Sequence, residues 1–293
     1  MSTDAAPPDP AESQANTLGM ALRSTVQRLR QAGVPSPETD ARELVQRATG
    51  LSRLELLMGS EQPLKALELW QLEQLTQRRE AREPLQHLLG EVEWGDLRLR
   101  ISTAALIPRP ETEVLLVLAL AQISAQPSPR VLDVGTGTGA LALGIKRARA
   151  DAEVTASDIS GEALELARQN ADLNGLTVTF VQADLLSGLS GPYDLLLSNP
   201  PYLPDADQAL AQPEVQHDPA LALYSGPDGL TLARRLVSAA PRVLASGGVM
   251  LLELDPRNVE VLAAELSAAG WSAQVHPDWV GRQRFLLARL LPR

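Results

Sequence analysis

The chain has 293 residues, room for one large domain or two smaller ones at roughly 150 residues each. Hydrophobic residues make up 44% and charged residues 21%, as in a globular protein with an ordinary core, but aromatics are only 3%, so that core has to be built from Leu, Val, Ala and Ile. Twenty-six basic against 36 acidic residues leave a formal charge of -10, which argues against a protein that grips phosphate backbones, and the lack of cysteine excludes disulfides, thiolate metal sites and a thiol nucleophile.

The three histidines, His87, His217 and His276, lie too far apart for two to share a helical turn. A histidine zinc site is therefore not expected, and each reads as structural. Residues 1–15 form a Pro/Asp/Ala-rich stretch without the basic and apolar regions of a signal peptide, and read as a disordered tail. The longest apolar run, 114–121, is far short of the ~20 residues that cross a bilayer. A cytoplasmic protein without membrane or metal is the expectation.

Residues 16–90 read as all-helical. Leu18, Leu22, Val26 and Leu29 recur at helical spacing, with a stop at Gly33 before Pro35. Ser36-Pro37-Glu38 opens a second helix, with Pro at its first position behind a Ser cap, and Gly50 closes it. A short helix over 51–58 and a fourth over 64–83 follow, the fourth expected to turn Leu67, Trp70 and Leu75 inward. Its charged run, 77–83, reads as a solvated helix face. Residues 91–110 suggest a hairpin linking two domains: Glu93-Trp94, a turn at Gly95-Asp96, then alternating Leu97, Leu99 and Ile101.

The larger domain, 111–293, begins with a helix over 110–122 and a Pro/Ser linker at 126–129. From Arg130, strands and helices alternate: strand 131–133, helix 140–149, strand 153–158, helix 161–170, then strands 178–181 and 193–198. A long loop over 199–227 precedes helix 230–244, strand 248–254, helix 257–269 and strands 272–276 and 283–289. This order predicts an α/β fold, a doubly wound, Rossmann-like sheet of seven strands with helices on both faces. No helix separates the last two strands, so one of them is expected as an antiparallel strand at the edge. Residues 1–90 carry 12 acidic and 10 basic side chains and residues 91–293 carry 24 and 16, so the sheet-forming half holds most of the negative charge.

Asp133-Val134-Gly135-Thr136-Gly137-Thr138-Gly139 joins the first of these strands to its helix. The spacing is not the G-x-G-x-x-G of dinucleotide folds, and no Lys-Ser/Thr follows as in a phosphate-binding loop. Glycine permits positive φ and close approach of a ligand to the backbone, here at a strand's carboxyl end, where open α/β sheets bind ligands. Asp158 ends the second strand, where it suits the two hydroxyls of a ribose, and Asp184 ends the third, where it can accept from an adenine amino group. A nucleoside ligand without phosphate fits this set, and S-adenosylmethionine is the cofactor expected.

Ser198-Asn199-Pro200-Pro201-Tyr202 follows the fourth strand, again at its carboxyl end. Two prolines lack N–H groups and fix φ near −65°, so the turn is rigid and rich in acceptors. The Asn199 side-chain oxygen and the Pro200 carbonyl can hold a planar –NH2 by both hydrogens, and Tyr202 can lie against its plane. An amide nitrogen is a poor nucleophile because its lone pair is delocalised. Two fixed acceptors favour the geometry that points that lone pair at a methyl donor.

With these two turns the sequence resembles the class I methyltransferases that act on exocyclic or amide nitrogen. Glu83-Pro84-Leu85-Gln86-His87-Leu88-Leu89-Gly90, Ile107-Pro108-Arg109-Pro110-Glu111-Thr112-Glu113, Asp158-Ile159-Ser160 and Gly226-Pro227-Asp228-Gly229-Leu230 narrow the resemblance to the PrmC/HemK family, the release factor glutamine methyltransferases, over residues 16–290. The resemblance implies a small helical N-terminal domain that docks the substrate and a class I methyltransferase domain behind a hairpin. Gly135, Thr136, Gly137, Thr138, Gly139, Asp158, Asp184, Leu185 and Asn199 would border the cofactor. Asn199, Pro200, Pro201 and Tyr202 would hold the glutamine, with Arg109 and Glu111 framing it. The substrate would be the glutamine of the Gly-Gly-Gln motif of bacterial class I peptide-chain release factors. Leu185 stands where the family often has an aromatic residue, and Leu254-Asp255-Pro256-Arg257 where it often reads Ile/Leu-Gly with a nearby Gln.

In-line transfer to the glutamine nitrogen needs positioning more than an activated nucleophile. Two other substrates fit the same turns. A ribosomal-protein glutamine is one; an adenine N6 or guanine N2 amino group flipped out of nucleic acid is the other. The net charge and the lack of a basic stretch speak against nucleic acid. A protein that keeps the fold only to sense its ligand would be expected to lose the Gly turn or Asn199, and both are intact.

Overall fold

The computed structural model describes residues 17–291; the expected tail at 1–15 lies outside them. The chain divides into two compact units, Met1–Gly90 and Glu91–Arg293.

Among its described residues the first unit is helical: α1 (Leu18–Gln31), α2 (Pro37–Thr49), α3 (Arg53–Met58), α4 (Ala66–Glu80) and α5 (Leu85–Leu89). Ser36 precedes α2 as expected but makes no side-chain cap bond, while two other helices are capped by side chains. Thr17 accepts the Met20 N–H, Pro37 is the first residue of α2, and Ser52 with Glu55 forms a reciprocal capping box on α3. Leu29, Leu44, Val45, Leu56, Leu72 and Leu88 share one core. On α4 the buried positions are Leu72, Thr76 and Arg79, a three-four spacing that defines one stripe. Leu67 and Trp70 fall on the opposite side and are 63% and 61% exposed, so of the three residues expected inward only Leu75 packs on the core. The charged run is not uniformly solvated either. Arg79 is buried and donates to Asp40, also buried, at 2.7 Å. The short α5 lies between Pro84 and Gly90, where the sequence suggested no separate helix.

The second unit starts with an antiparallel strand pair, β1 (Glu91–Trp94) and β2 (Leu97–Arg100). Trp94, Leu97 and Leu99 are buried in this unit's own core, so the 91–110 segment is part of the unit rather than a linker. Next come α6 (Thr112–Gln122), β3 (Arg130–Val134), α7 (Ala140–Ala148), β4 (Glu153–Asp158), α8 (Gly161–Asn174), β5 (Thr179–Gln182) and β6 (Tyr193–Ser198). The loop after β6 contains 3-10 turns at Asp205–Leu210, Pro213–His217 and Ala220–Ala222. Then follow α9 (Thr231–Ala239), β7 (Leu244–Glu253), α10 (Val259–Ala268), β8 (Trp271–Pro277) and β9 (Gln283–Leu290).

The sheet has seven strands in the order β5-β4-β3-β6-β7-β9-β8. The pairs from β5 through β7 are parallel; β9 is antiparallel to both neighbours. The antiparallel strand therefore lies one place inside the edge, and β8 takes the edge itself. The reason is connectivity: α10 carries the chain across to β8, and the tight return from β8 inserts β9 into the space left beside β7.

Alternation along the strands divides the core into two layers. Val131, Leu195, Leu197, Val249 and Leu251 face α6, α7 and the β1–β2 pair. Leu132, Val134, Leu196, Met250 and Leu252 face α9 and α10. Helix α9 stops at Ala239, short of the expected 244, because Pro241 cannot continue it, and a 3-10 turn (Ala240–Arg242) leads directly into β7. Helix α8 runs on to Asn174 and ends at Gly175 in the left-handed region. No helix among the described residues is long and apolar enough to cross a membrane.

Asp40 and Arg79 neutralise each other away from water, and removing one partner leaves the other charge buried. Asp40→Ala is expected to lower the stability of the first unit by about 3–5 kcal/mol. Hydrogen exchange of the α2 and α4 amides in the full chain reads the loss directly; unchanged protection of those amides would refute it.

Candidate functional site

Strand order reverses between β3 and β6, so the connections leaving their carboxyl ends diverge and open a crevice. Both sequence motifs sit there. The strands pair Val131 with Leu195 and Asp133 with Leu197, and the Ser198 hydroxyl donates to the Val134 carbonyl at 2.7 Å, which joins the two turns.

The glycine turn is held from below. Asp133, fully buried, accepts the Thr136 hydroxyl at 2.6 Å and the Ala142 N–H at 3.2 Å through one oxygen. Burial pushes its carboxyl up to about 6. Gly135 and Thr136 donate their N–H groups to the Ser157 carbonyl, Gly137 to Asp158 at 2.9 Å, and Gly139 to the Thr136 carbonyl. Four backbone donors of the turn are thus committed within the protein, which suits a ligand without phosphate. Gly139 has φ +86°, and a Cβ there would come within 3.2 Å of Ala167 and 3.3 Å of Leu143. The turn packs this closely onto α8 only because that side chain is missing.

A cavity of about 380 Å³ lies over this turn, a size typical of cofactor sites. Gly135, Thr136, Gly137, Thr138, Asp158, Asp184, Leu185, Asn199, Pro200 and Pro201 all line it. Gly139 lies behind it at the start of α7. Asp158 also accepts the Ser160 N–H at 2.9 Å, so its carboxylate is fixed at the end of β4. Asp184 is paired with Arg235 at 2.8 Å on the cavity wall. Leu185 adopts φ +51°, uncommon for a residue with a side chain, and supplies apolar wall.

Tyr202 is not part of the wall. It packs into the core layer of α9 and α10, where burial and the nearby Glu253 carboxyl raise its phenol pKa. Its carbonyl accepts the Asn258 side-chain N–H at 3.0 Å, and a Cβ on Gly229 would come within 2.0 Å of that carbonyl. This contact explains the glycine in Gly226-Pro227-Asp228-Gly229: the loop returning from β6 lies directly on the Pro-Pro turn. Arg109 and Glu111 also lie off the wall. Arg109 donates to the buried Asp218 at 2.9 Å, and Glu111 directly precedes α6 without a side-chain cap bond; both act electrostatically on Glu253.

Asn199 donates through Nδ2 to the Thr112 hydroxyl at 3.3 Å. Its Oδ1 is buried and meets no hydrogen-bond donor among the described residues. A buried acceptor without a donor is unfavourable, and an N–H or O–H brought against it would satisfy it.

A family model described as PrmC N-terminal domain matches residues 20–90, and one described as methyltransferase small domain matches 112–217. A release factor glutamine methyltransferase of Deinococcus radiodurans is 59% identical over 271 residues, covering 92% of this chain and 96% of that protein. This chain belongs to the release factor glutamine methyltransferase family. Another member, from Streptomyces coelicolor, is 39% identical over 94% of this chain and 98% of its own. A solved methyltransferase from Pyrococcus furiosus shares the fold at 22% identity, with a TM-score of 0.51 over 66% of this chain and 88% of that one. The second unit is accordingly a class I methyltransferase domain and S-adenosylmethionine its cofactor. The cavity's volume, its fixed carboxylate at Asp158 and its lack of a phosphate cradle fit that group.

Four residues of this family member escaped the sequence reading as site residues: Asp133, Thr112, Asp218 and Glu253. Asp133 carried a local signal, directly before the glycine turn. Thr112 lay inside the 107–113 segment that carries the family resemblance, while Asp218 and Glu253 act through tertiary contacts that no local pattern announces. Glu253, at the end of β7, is buried, and neither carboxyl oxygen has a well-aligned donor among the described residues. Burial pushes it up to about 7; the nearby Thr112 hydroxyl, Arg284 and Arg109 oppose that rise, and Glu111 adds to it.

Asp133 and Glu253 hold their protons more tightly in the folded chain than in the unfolded one. Stability therefore falls as pH rises from the ordinary carboxylate range through about 6 for Asp133 and about 7 for Glu253. For Glu253 the effect is on the order of 3 kcal/mol. Melting temperature is expected to decline between about pH 5 and pH 8, and to decline less in Glu253→Gln, which has no charge to bury. Parallel pH curves for the two proteins would contradict this.

Proposed function

We propose that this chain methylates the side-chain nitrogen of the Gly-Gly-Gln glutamine in peptide-chain release factors, in the cytoplasm where those factors act. The buried, unpartnered Asn199 Oδ1 beside Pro200 and Pro201 carries the reading. An unpaired acceptor next to residues that lack N–H groups suits an incoming –NH2 and repels a carbonyl or carboxylate. The 59% identity to a release factor glutamine methyltransferase supports the same substrate.

When bound, S-adenosylmethionine would supply an electrophilic methyl for the glutamine nitrogen, which would give up a proton to solvent, leaving the cofactor as its thioether. The chain's part is placement. Gly135, Thr136, Gly137 and Thr138 would carry the methionine end across the turn, with Gly139 letting that turn lie close to α8. Asp158 would hold the ribose hydroxyls, and Asp184 with Leu185 would border the adenine. Asn199 Oδ1 and the Pro200 carbonyl would accept both amide hydrogens. Their negative ends lie where positive charge develops on nitrogen, which is where fixed dipoles lower a barrier. Pro201 keeps the turn rigid, and Tyr202 anchors it from the core side. Arg109 and Glu111 would frame the site from its rim. Residues 16–90 would dock the release factor.

Transfer of labelled methyl to a purified, unmethylated release factor tests the proposal. Label is expected on the factor and absent when its Gly-Gly-Gln is changed to Gly-Gly-Ala. Label on duplex DNA or on a ribosomal protein instead would overturn it. Asn199→Ala is expected to lower kcat by about 100-fold or more while cofactor affinity changes little, since one fixed acceptor is worth roughly that much in the transition state. Asp158→Ala is expected to do the reverse, weakening the cofactor by about tenfold or more, as loss of a charged acceptor implies. Kinetics and calorimetry on both variants separate the roles; the opposite pattern would exchange them.

A further inference from the structure

We propose that Thr112 and Glu253 are positioning residues that fix which way the Asn199 side-chain amide faces, so that its oxygen and not its –NH2 meets the substrate. The inference rests on the glutamine reading above and adds a second tier of residues to it.

An asparagine amide is nearly symmetric in shape, and a half-turn exchanges its donor and acceptor ends. At Asn199 the two orientations have opposite consequences. With Oδ1 toward the cavity the residue accepts a substrate –NH2; with Nδ2 toward the cavity it opposes one donor with another. Pro200 and Pro201 cannot make the choice, because neither has an N–H to hold Oδ1 elsewhere. The neighbour that can is Thr112, whose hydroxyl oxygen receives Asn199 Nδ2 at 3.3 Å.

A hydroxyl has one proton and can therefore donate only once. If that proton points at Asn199 the amide turns its oxygen to Thr112; if it points elsewhere, Thr112 is an acceptor and takes the Nδ2 end. Glu253 supplies the other direction. Its carboxyl is buried next to Thr112, lacks a well-aligned donor among the described residues, and favours its charged form when the Thr112 hydroxyl is turned to it. A carboxylate can only accept, so it draws the Thr112 proton and leaves Thr112 to accept from Asn199. The chain of preference runs from β7 through the start of α6 to the turn after β6. It ends on the one side-chain oxygen that the turn leaves unsatisfied.

The surroundings keep Glu253 in play. Arg109 and Arg284 favour its charge and Glu111 opposes it, while the charges of Glu253 and Asp255 both act on the Tyr202 phenol. Arg109 is itself held by Asp218 and Arg284 by Asp278. Protonation of Glu253 would let it donate to Thr112 and return the hydroxyl proton to Asn199, so the orientation weakens as the carboxyl titrates through about 7.

The test uses the full chain with a release factor as substrate and three variants: Thr112→Val, Thr112→Ser and Glu253→Gln. Thr112→Val is expected to lower kcat roughly 10- to 100-fold, the range found when an outer partner of an active group is removed. Cofactor affinity, which also reports folding, is expected to stay within about twofold, and Thr112→Ser to restore most of kcat. In the wild type kcat is expected to rise with pH through about 7. In Glu253→Gln it is expected to be low and without that limb. A Thr112→Val enzyme with wild-type kcat overturns the proposal, as does a Glu253→Gln enzyme that keeps the limb. If Thr112→Val does not bind cofactor, the pH profile of Glu253→Gln decides. Failure of the wild type itself to label any glutamine would be a failure of the substrate reading, visible before any variant is compared.

Discussion

The reversal of strand order between β3 and β6 is the constraint on which the site depends. A parallel sheet wound in one direction covers the carboxyl ends of its strands with successive crossovers; only where the winding changes direction do two neighbouring ends stay open. Both turns occupy that gap, and the Ser198 hydroxyl on the Val134 carbonyl fixes their separation. The long loop after β6 is anchored to the same place by Asn258, which donates to the carbonyls of Tyr202 and Asp228.

Each turn has a buried carboxyl beneath it, and the two are used differently. Asp133 spends one oxygen on Thr136 and on the first turn of α7, tying the glycine turn to its strand and helix. Glu253 has no well-aligned donor among the described residues, and the Thr112 hydroxyl, Arg284 and Arg109 offset its burial only in part. Buried charge without partners is unfavourable, and apolar residues of similar volume would pack at lower free energy. The directional pull it exerts on a neighbouring hydroxyl is a function no apolar side chain can perform, and that reconciles its presence with its cost.

What could be read in the sequence was whatever is encoded locally. The alternation of strands and helices, the start of α2 at Pro37 and its stop at Gly50, and the two turns at strand ends depend on residues adjacent in the chain. The departures come from distant contacts or from overridden local rules. Leu67 and Trp70 look like helix-core residues in isolation, yet the face of α4 that packs is set by Leu72, Thr76 and Arg79. Arg79 sits in a charged run but is buried because Asp40, 39 residues earlier, meets it. The place of β9 follows from sheet closure, not from its own sequence. Pro241 is the exception, a local stop signal whose effect on α9 was visible in the chain.

The same division separates the two halves of recognition. On the cofactor side, rigidity comes from the backbone of the turn: Gly139 bonds within it, Gly135, Thr136 and Gly137 bond to the end of β4, and the conformation is complete before anything binds. That is why the glycine pattern is informative together with its place between strand and helix and the Asp158 and Asp184 that end the next two strands. On the substrate side the Pro-Pro turn is rigid only in its backbone. The side chain that meets the substrate can still rotate, and its direction is set by Thr112, 87 residues away, with Glu253 beyond it. A motif of four letters can therefore identify the chemistry of an incoming –NH2 without containing what orients the group that receives it.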